Sequence, residues 1–294
     1  SIATSSTLAL QSVFKNLQCS DYTVSPKDLT VAFGWTSLDA FQQQDAQEML
    51  RVLLDKLETK MIGTAVEGTI HQMFSGNLRS YIKCMNVDMQ SNREEEFSDL
   101  QLDVKGCKDI YDSFRKYIEK EKLCGENKYD AGPGLGKQDA EKGAIFLKFP
   151  PVLTLQLKRF DFDLQELQFV KIHDEYKFPE TLVLDEFLAE DAEGYDPLNG
   201  TASIDMNKEH ASKYTYVLHS ILVQDGEVGA GHYYAYIRPA NSNADADDAM
   251  NGDSNNNNDN TKSGNFEQWY RFNDEKVIKV SRKESVDYNY GKSS

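Results

Sequence analysis

The chain has 294 residues, 39% hydrophobic and 27% charged, enough for a large core in one extended domain or two and too apolar for a disordered chain. Its net charge of −16 argues against a nucleic-acid partner, which clustered lysine and arginine would bind, and fits a partner with a basic element. It has no apolar run of membrane-spanning length, so no membrane span is expected, and the cysteines Cys19, Cys84, Cys107 and Cys124 form no C-x-x-C pair, which predicts a reducing compartment, cytosol or nucleus.

The opening SIATSSTLALQSVF lacks the basic start and long apolar core of a signal peptide, and residue 1 is not methionine, so the chain is expected to be cut from something longer. Leu8, Leu10, Val13, Phe14 and Leu17 fall at helical spacing, and Ser25-Pro26 starts a fresh short element. Leu38, Phe41, Met49, Val52, Leu53 and Leu57 predict a helix from Ser37 to Lys60, whose other face carries Gln44, Asp45, Gln47 and Glu48. Asp45 and Glu48 are one turn apart on one side, either a solvated face or a pair that meets a cation.

From residue 66 to 104 the pattern changes to alternation. Leu78, Tyr81, Ile82 and Cys84, then Val87 and Met89, then Phe97, Leu100, Leu102 and Val104 predict strands, with a polar turn at Gln90 to Arg93. Ile110 to Leu123 reads as a helix with Tyr111, Phe114, Tyr117 and Ile118 on one side. The glycine-rich run at 132–136 lacks the lysine and hydroxyl residue of a phosphate loop. Residues 144–160 predict a central strand interrupted at Pro150-Pro151, Lys171 to Phe178 another, and Tyr214 to Val223 a third, covered on both faces. Glu190 to Ser212 reads as a surface loop, and Asn241 to Asn265, with asparagine at each position from 255 to 258, as a disordered insertion.

Residues 229–236 read GAGHYYAY. The glycines flanking Ala230 let the chain turn sharply and let another main chain approach, and the tyrosines that follow suit a strand. His232 thus sits at the mouth of a strand behind a bare loop. An imidazole there can take and give a proton at neutral pH; a half-buried histidine donating to a carbonyl is the plainer alternative. Downstream, WYRFNDEKV at 269–277 ends its aromatic run in Asn273 and Asp274. Either can accept from an imidazole N–H and fix its tautomer, the third role beside nucleophile and base, and the pair also suits a hairpin turn.

Together with FGWTSLDAFQQQDAQEMLRVLLDKLE at 33–58, VEGTIHQMFSGNLRSYIKC at 66–84, NKYDAG at 127–132 and FPPVLTLQLKRFDFD at 149–163, these stretches resemble the ubiquitin-specific proteases, most nearly their herpesvirus-associated members. These are papain-like cysteine peptidases that cleave the bond after the ubiquitin C-terminus. The resemblance implies an α+β hand, with thumb helices at 1–65, β fingers at 66–143 and a palm at 144–294 that carries the insert 241–265. It implies that His232 is the general base, oriented by Asn273 with Asp274 as a second polar support. It also implies that Asp45 and Glu48 hold arginine in the ubiquitin tail by charge-assisted hydrogen bonds, that Trp35 lies on a mobile loop near the active centre, and that Gly229 and Gly231 make way for the narrow di-glycine tail. Ubiquitin and ubiquitinated proteins are the implied partners. Many relatives bind zinc through two C-x-x-C pairs where this chain has Cys84 alone, so no metal and no cofactor is expected.

A cysteine peptidase needs a thiolate, usually at a helix N-terminus. Cys19 follows a predicted helix, Cys84 falls in a strand, and Cys107 and Cys124 lie beside loops. The family's cysteine box precedes a stretch resembling TLALQSVF, so the resemblance implies a nucleophile upstream of residue 1 and a chain that alone hydrolyses nothing by this mechanism. A non-catalytic ubiquitin-binding scaffold with the same fold is the alternative.

Overall fold

The computed structural model describes residues 5–34, 45–164, 167–192, 213–227, 230–239 and 268–291, without the side chains of Asp163, Glu227 and Ala230. Trp35, Gly229, the insert 241–265 and most of the 190–212 loop lie outside the described residues.

The first elements are helical. Ser5 caps α1 (Ser6–Cys19), and α2 (Lys27–Ala32) follows Pro26. Ala9, Leu29 and Phe33 form a small core with Val13, Val52 and Leu53 packed against it, which brings in α3 (Ala46–Met61). The predicted helix from Ser37 is therefore described only from Ala46 onward. Asp45 is its N-cap, accepting at Oδ1 from the amides of Gln47 at 2.7 Å and Glu48 at 3.4 Å, so two of the helix's otherwise unpaired N–H groups are satisfied. Gly68, at φ 77°, leads into α4 (Thr69–Phe74), one helical turn inside the stretch predicted as strands.

Next come β1 (Gly76–Cys84), β2 (Gln90–Phe97), β3 (Leu100–Asp103), α5 (Ile110–Tyr117), β4 (Glu121–Leu123), β5 (Tyr129–Asp130), β6 (Lys137–Gln138) and β7 (Ala140–Lys148). Strands β2, β1, β7 and β4 form an antiparallel sheet in that order. Gln90 to Arg93, predicted as a turn, instead opens β2, because the backbone of β1 pairs with it from Lys83↔Gln90 onward. The helix predicted to Leu123 stops at Tyr117, since Glu121 to Leu123 pair with the edge of β7.

The remaining elements are β8 (Leu155–Lys158), β9 (Phe160–Asp163), β10 (Gln168–Lys171), β11 (Thr181–Val183), β12 (Thr215–Val217), β13 (Ser220–Glu227), β14 (Ala230–Ile237), β15 (Trp269–Asn273), β16 (Lys276–Val280) and α6 (Arg282–Ser285). The prolines at 150 and 151 separate two strands of different sheets: β7 belongs to the four-stranded sheet above, whereas β8 runs parallel to β3. Lys171 to Phe178 is not a strand. Beyond Lys171 only isolated bridges occur, at Asp174 and at Lys177, the latter to Asp109, and the Arg159 guanidinium takes up the carbonyls of Ile172 and Asp174 at 3.1 Å each, so those carbonyls are satisfied without a strand ladder. Tyr214 to Val223 splits between β12, which pairs with β11, and β13, which pairs with β14. Val217 of β12 is 60% and Leu222 of β13 56% exposed, whereas Tyr216, Ile221 and Val223 pack on the main core, so among the described residues each strand is covered on one face and not on both.

The main core draws Leu102 and Val104 from around β3, Phe114 from α5, Phe146 from β7, and Phe149 and Phe187 from the connections, all buried. Trp269 joins it from the first position of β15. Burying an apolar side chain of this size contributes about 1.5–3 kcal/mol, so β15 is anchored at the end opposite Asn273.

Candidate active site

The sheet β13-β14-β15-β16 brings the histidine and the asparagine together. Pairing of β13 with β14 sets Asp225 opposite His232 and Gly226 opposite Gly231. Pairing of β14 with β15 runs from Ile237↔Tyr270 to Ala235↔Phe272. Just past that last pair, His232 Nε2 lies 2.6 Å from Asn273 Oδ1. Asp274 Oδ2 is 3.6 Å from the same nitrogen.

This geometry fixes the ring's chemistry. A carboxamide oxygen can only accept, so Nε2 carries the proton and the neutral ring keeps its lone pair on Nδ1. That nitrogen can take a proton from a nucleophile, and the Nε2–H bond to Asn273 then steadies the imidazolium. The His232 side chain is 46% exposed, which leaves the ring open to a reacting group. Asn273 and Asp274 also build the turn: Asn273 pairs with Lys276 across a two-residue loop, and Asp274 has φ 49°, a left-handed conformation that aspartate tolerates better than most residues. The hairpin turn and the contact with His232 therefore use the same two residues.

Asp45, the N-cap of α3, reaches the same neighbourhood through Tyr233. Burial, and then the negative charge of Asp45, push its phenol above the ordinary value, while the Ala46 backbone amide works against them. The start of α3 thus lies against the residue that follows His232. Asp45 spends one carboxylate oxygen on its cap, and Glu48 sits in the first turn.

A further anchor of α3 was not legible in the sequence. Asp99, with its side chain only 2% exposed, accepts from Arg51 Nε at 2.7 Å and from Gln47 Nε2, and Gln101 Nε2 donates to Gln47 Oε1 at 3.1 Å. An aspartate just ahead of two buried leucines carries no mark of an arginine 48 residues earlier.

Gly231 is crowded by its own chain. A Cβ there would run into Gln224 Nε2 and the Asp225 carbonyl, so the absence of a side chain is required by the sheet itself. Trp35 and Gly229 lie outside the described residues.

The cysteines stand apart from this site. All four are free; Cys84 and Cys107 are buried, Cys19 and Cys124 exposed. Cys84 Sγ lies 3.8 Å from Met89 Sδ, Cys107 belongs to the main core, and Cys19 is the last residue of α1, at the negative end of the helix dipole. Among the described residues no group of three or more His, Cys, Asp or Glu could hold a metal ion, and no helix is long and apolar enough to cross a membrane.

Known proteins resemble the chain over nearly its whole length. Residues 3–292 match the family described as "Ubiquitin carboxyl-terminal hydrolase". "Ubiquitin C-terminal hydrolase 12" of Arabidopsis thaliana is 48% identical over 284 residues, 97% of this chain and 22% of that protein. "Ubiquitin carboxyl-terminal hydrolase 15" of Saccharomyces cerevisiae is 43% identical over 284 residues, again 97% of this chain and 20% of the relative. The chain therefore spans about a fifth of the length of these curated relatives. Among solved structures, a chain of "Structure of the SAGA Ubp8/Sgf11/Sus1/Sgf73 DUB module bound to ubiquitin aldehyde" superimposes with a TM-score of 0.70 at 24% identity, over 97% of this chain and 58% of that one. A structure of the same module bound to monoubiquitin gives a TM-score of 0.71, also at 24% identity, over 97% of this chain and 57% of that one. The fold is the expected α+β, papain-like hand, and the match over residues 3–292 makes this chain a member of the ubiquitin carboxyl-terminal hydrolase family, among its ubiquitin-specific proteases.

Proposed function

We propose that this chain supplies the general base, its orienter and the tail-binding acids of a deubiquitinating thiol hydrolase, and that the attacking thiol comes from a segment outside these 294 residues. The observation that carries the reading is the 2.6 Å contact from His232 Nε2 to Asn273 Oδ1, which leaves Nδ1 as the proton acceptor. Cys84 and Cys107 are buried, and Cys19 ends α1 at the negative end of its dipole, settings that do not favour a thiolate; Cys124 follows β4, at the edge of the sheet β2-β1-β7-β4 and not in the sheet that holds His232.

In this mechanism His232 Nδ1 takes the thiol proton, and the sulfur attacks the carbonyl carbon of the last ubiquitin glycine. The C–N bond then breaks as the imidazolium returns its proton to the leaving lysine amine. Water, deprotonated by the same ring, hydrolyses the thioester and restores the thiol. Asn273 holds the ring in the required tautomer throughout, with Asp274 as an outer support. Asp45 and Glu48, at the start of α3, pair with arginine in the ubiquitin tail. The names of the relatives are those of ubiquitin hydrolases, and the structural neighbours are described as bound to monoubiquitin and to ubiquitin aldehyde. Ubiquitin and ubiquitinated proteins are the proposed partners, met in the cytosol or nucleus.

The test uses the full-length protein with ubiquitin that carries a fluorogenic C-terminal leaving group. Wild type should hydrolyse it, and His232→Ala should lower the rate by at least about 100-fold. Ubiquitin binding without hydrolysis in either protein would instead make it a scaffold.

A further inference from the structure

Lys171 is the last residue of β10, on a hairpin whose other side chains are largely uncovered: Leu164 is 80% and Leu167 73% exposed. Its ammonium leaves that hairpin for β13. It donates to the Gln224 carbonyl at 2.8 Å, to Gln224 Oε1 at 2.7 Å and to the Gly226 carbonyl at 2.7 Å. Hydrogen bonds from a charged donor are about twice as strong as neutral ones.

The acceptors flank one residue, Asp225, and Asp225 is the strand partner of His232. Gly226, which offers the third acceptor, has φ 103°, a conformation open to glycine and costly to other residues. It pairs with Gly231. The amide of Gln224, held by Lys171, lies where a Cβ on Gly231 would be. A continuous set of contacts thus runs from the ammonium through Gln224 to the residue before His232.

We propose that Lys171 is a positioning residue for the reaction: by fixing residues 224–226 it sets the strand partner of His232 and so the approach of that ring to Asn273. The proposal rests on the function proposed above. Lys171 touches no reacting atom and acts through the β13–β14 hairpin. A neutral side chain of similar length would leave the two carbonyls without this donor, whereas arginine could still bridge them.

The experiment measures kcat and KM of the full-length protein on fluorogenic ubiquitin for wild type, His232→Ala, Lys171→Met and Lys171→Arg. An active wild type silenced by His232→Ala secures the underlying reading; an inactive wild type, or activity that survives His232→Ala, sinks that reading and the proposal built on it. With the reading secure, Lys171→Met should lower kcat about tenfold and leave KM within about twofold, because a small misplacement of the base is costly. Lys171→Arg should recover most of that loss, and the 15N-edited signal of the His232 Nε2 proton should broaden in Lys171→Met and sharpen again in Lys171→Arg. An unchanged kcat overturns the proposal. So does a change confined to KM, which would assign Lys171 to substrate binding, or a loss of kcat with an unchanged Nε2 proton signal. If Lys171→Met does not fold, Gln224→Met decides: it removes one acceptor and should lower kcat about threefold, and an unchanged kcat there refutes the role.

Discussion

Asn273 meets His232 diagonally across β14 and β15, just beyond the last paired residues Ala235 and Phe272, and its Oδ1 is 2.6 Å from the ring nitrogen. Asp274 is 3.6 Å from the same nitrogen with its side chain 74% exposed. The first contact is a hydrogen bond; the second is too long for one and joins an exposed carboxylate that solvent screens. Asn273→Ala should therefore lower kcat/KM by about 100-fold through loss of ring orientation, while Asn273→Asp, which keeps an acceptor, should retain much more. Asp274→Asn preserves the left-handed turn and removes the charge, and should change kcat/KM by less than about threefold. Kinetics of the full-length protein on fluorogenic ubiquitin test the ranking, and a larger loss in Asp274→Asn than in Asn273→Ala would exchange the two roles.

Asp45 has two duties that substitution can separate. Its Oδ1 caps α3 through the amides of Gln47 and Glu48, and its charge is proposed to meet arginine in the ubiquitin tail. Asn caps as well as Asp. Asp45→Asn should leave thermal stability in place and raise KM, whereas Asp45→Ala should raise KM and also lose about 1 kcal/mol of stability. If Asp45→Asn leaves KM unaltered, the carboxylate serves the helix alone.

The His232–Asn273 contact was legible because strong local signals mark both residues: glycines just before His232, near the start of β14, and a two-residue turn just after Asn273, at the end of β15. Helix α1 and the later part of α3 were legible from their apolar period. The failures share a cause. Glu121 to Leu123 pair with β7, and Ile172 and Asp174 give their carbonyls to Arg159, so in both places the backbone partner is distant in sequence and periodicity says nothing of it. Asp99 and Lys171 were missed for the same reason. A buried acid and a three-acceptor ammonium are defined by what lies across from them, and a single sequence does not record that.

Gly231 offers a test of close packing at the base of the site. A methyl group there would meet the Asp225 carbonyl as well as Gln224 Nε2, and the backbone oxygen cannot rotate away as a side chain can. Gly231→Ala should cost about 1–3 kcal/mol through overpacking and should lower kcat, because relief of the clash shifts the strand that carries His232. Denaturant unfolding and kcat together check it; an alanine variant of unchanged stability would mean that the β13–β14 pair accommodates the methyl by a movement that leaves the register intact.

Asp103 couples the β3–β8 pair to α5 and predicts a defined response to acid. It lies opposite Lys158 in the parallel register, with Lys158 Nζ 2.9 Å from Oδ1 and Lys116 Nζ 2.9 Å from Oδ2. The hydrogen bond from Lys158, and then that from Lys116, hold its carboxyl below the usual carboxylate range. A carboxyl depressed in the folded state adds stability above its unfolded value, near 3.9, and that stability is lost as pH falls through the lower folded-state value. The side chain is 37% exposed, so solvent screening limits the contribution to about 0.5–1 kcal/mol. Asp103→Asn should be less stable than wild type by that amount at neutral pH, and the gap should close as the pH falls from about 4 towards 2. Unfolding by denaturant across that range reads the difference directly, and a gap that stays constant into strong acid would show that the two lysines add nothing through the charge of Asp103.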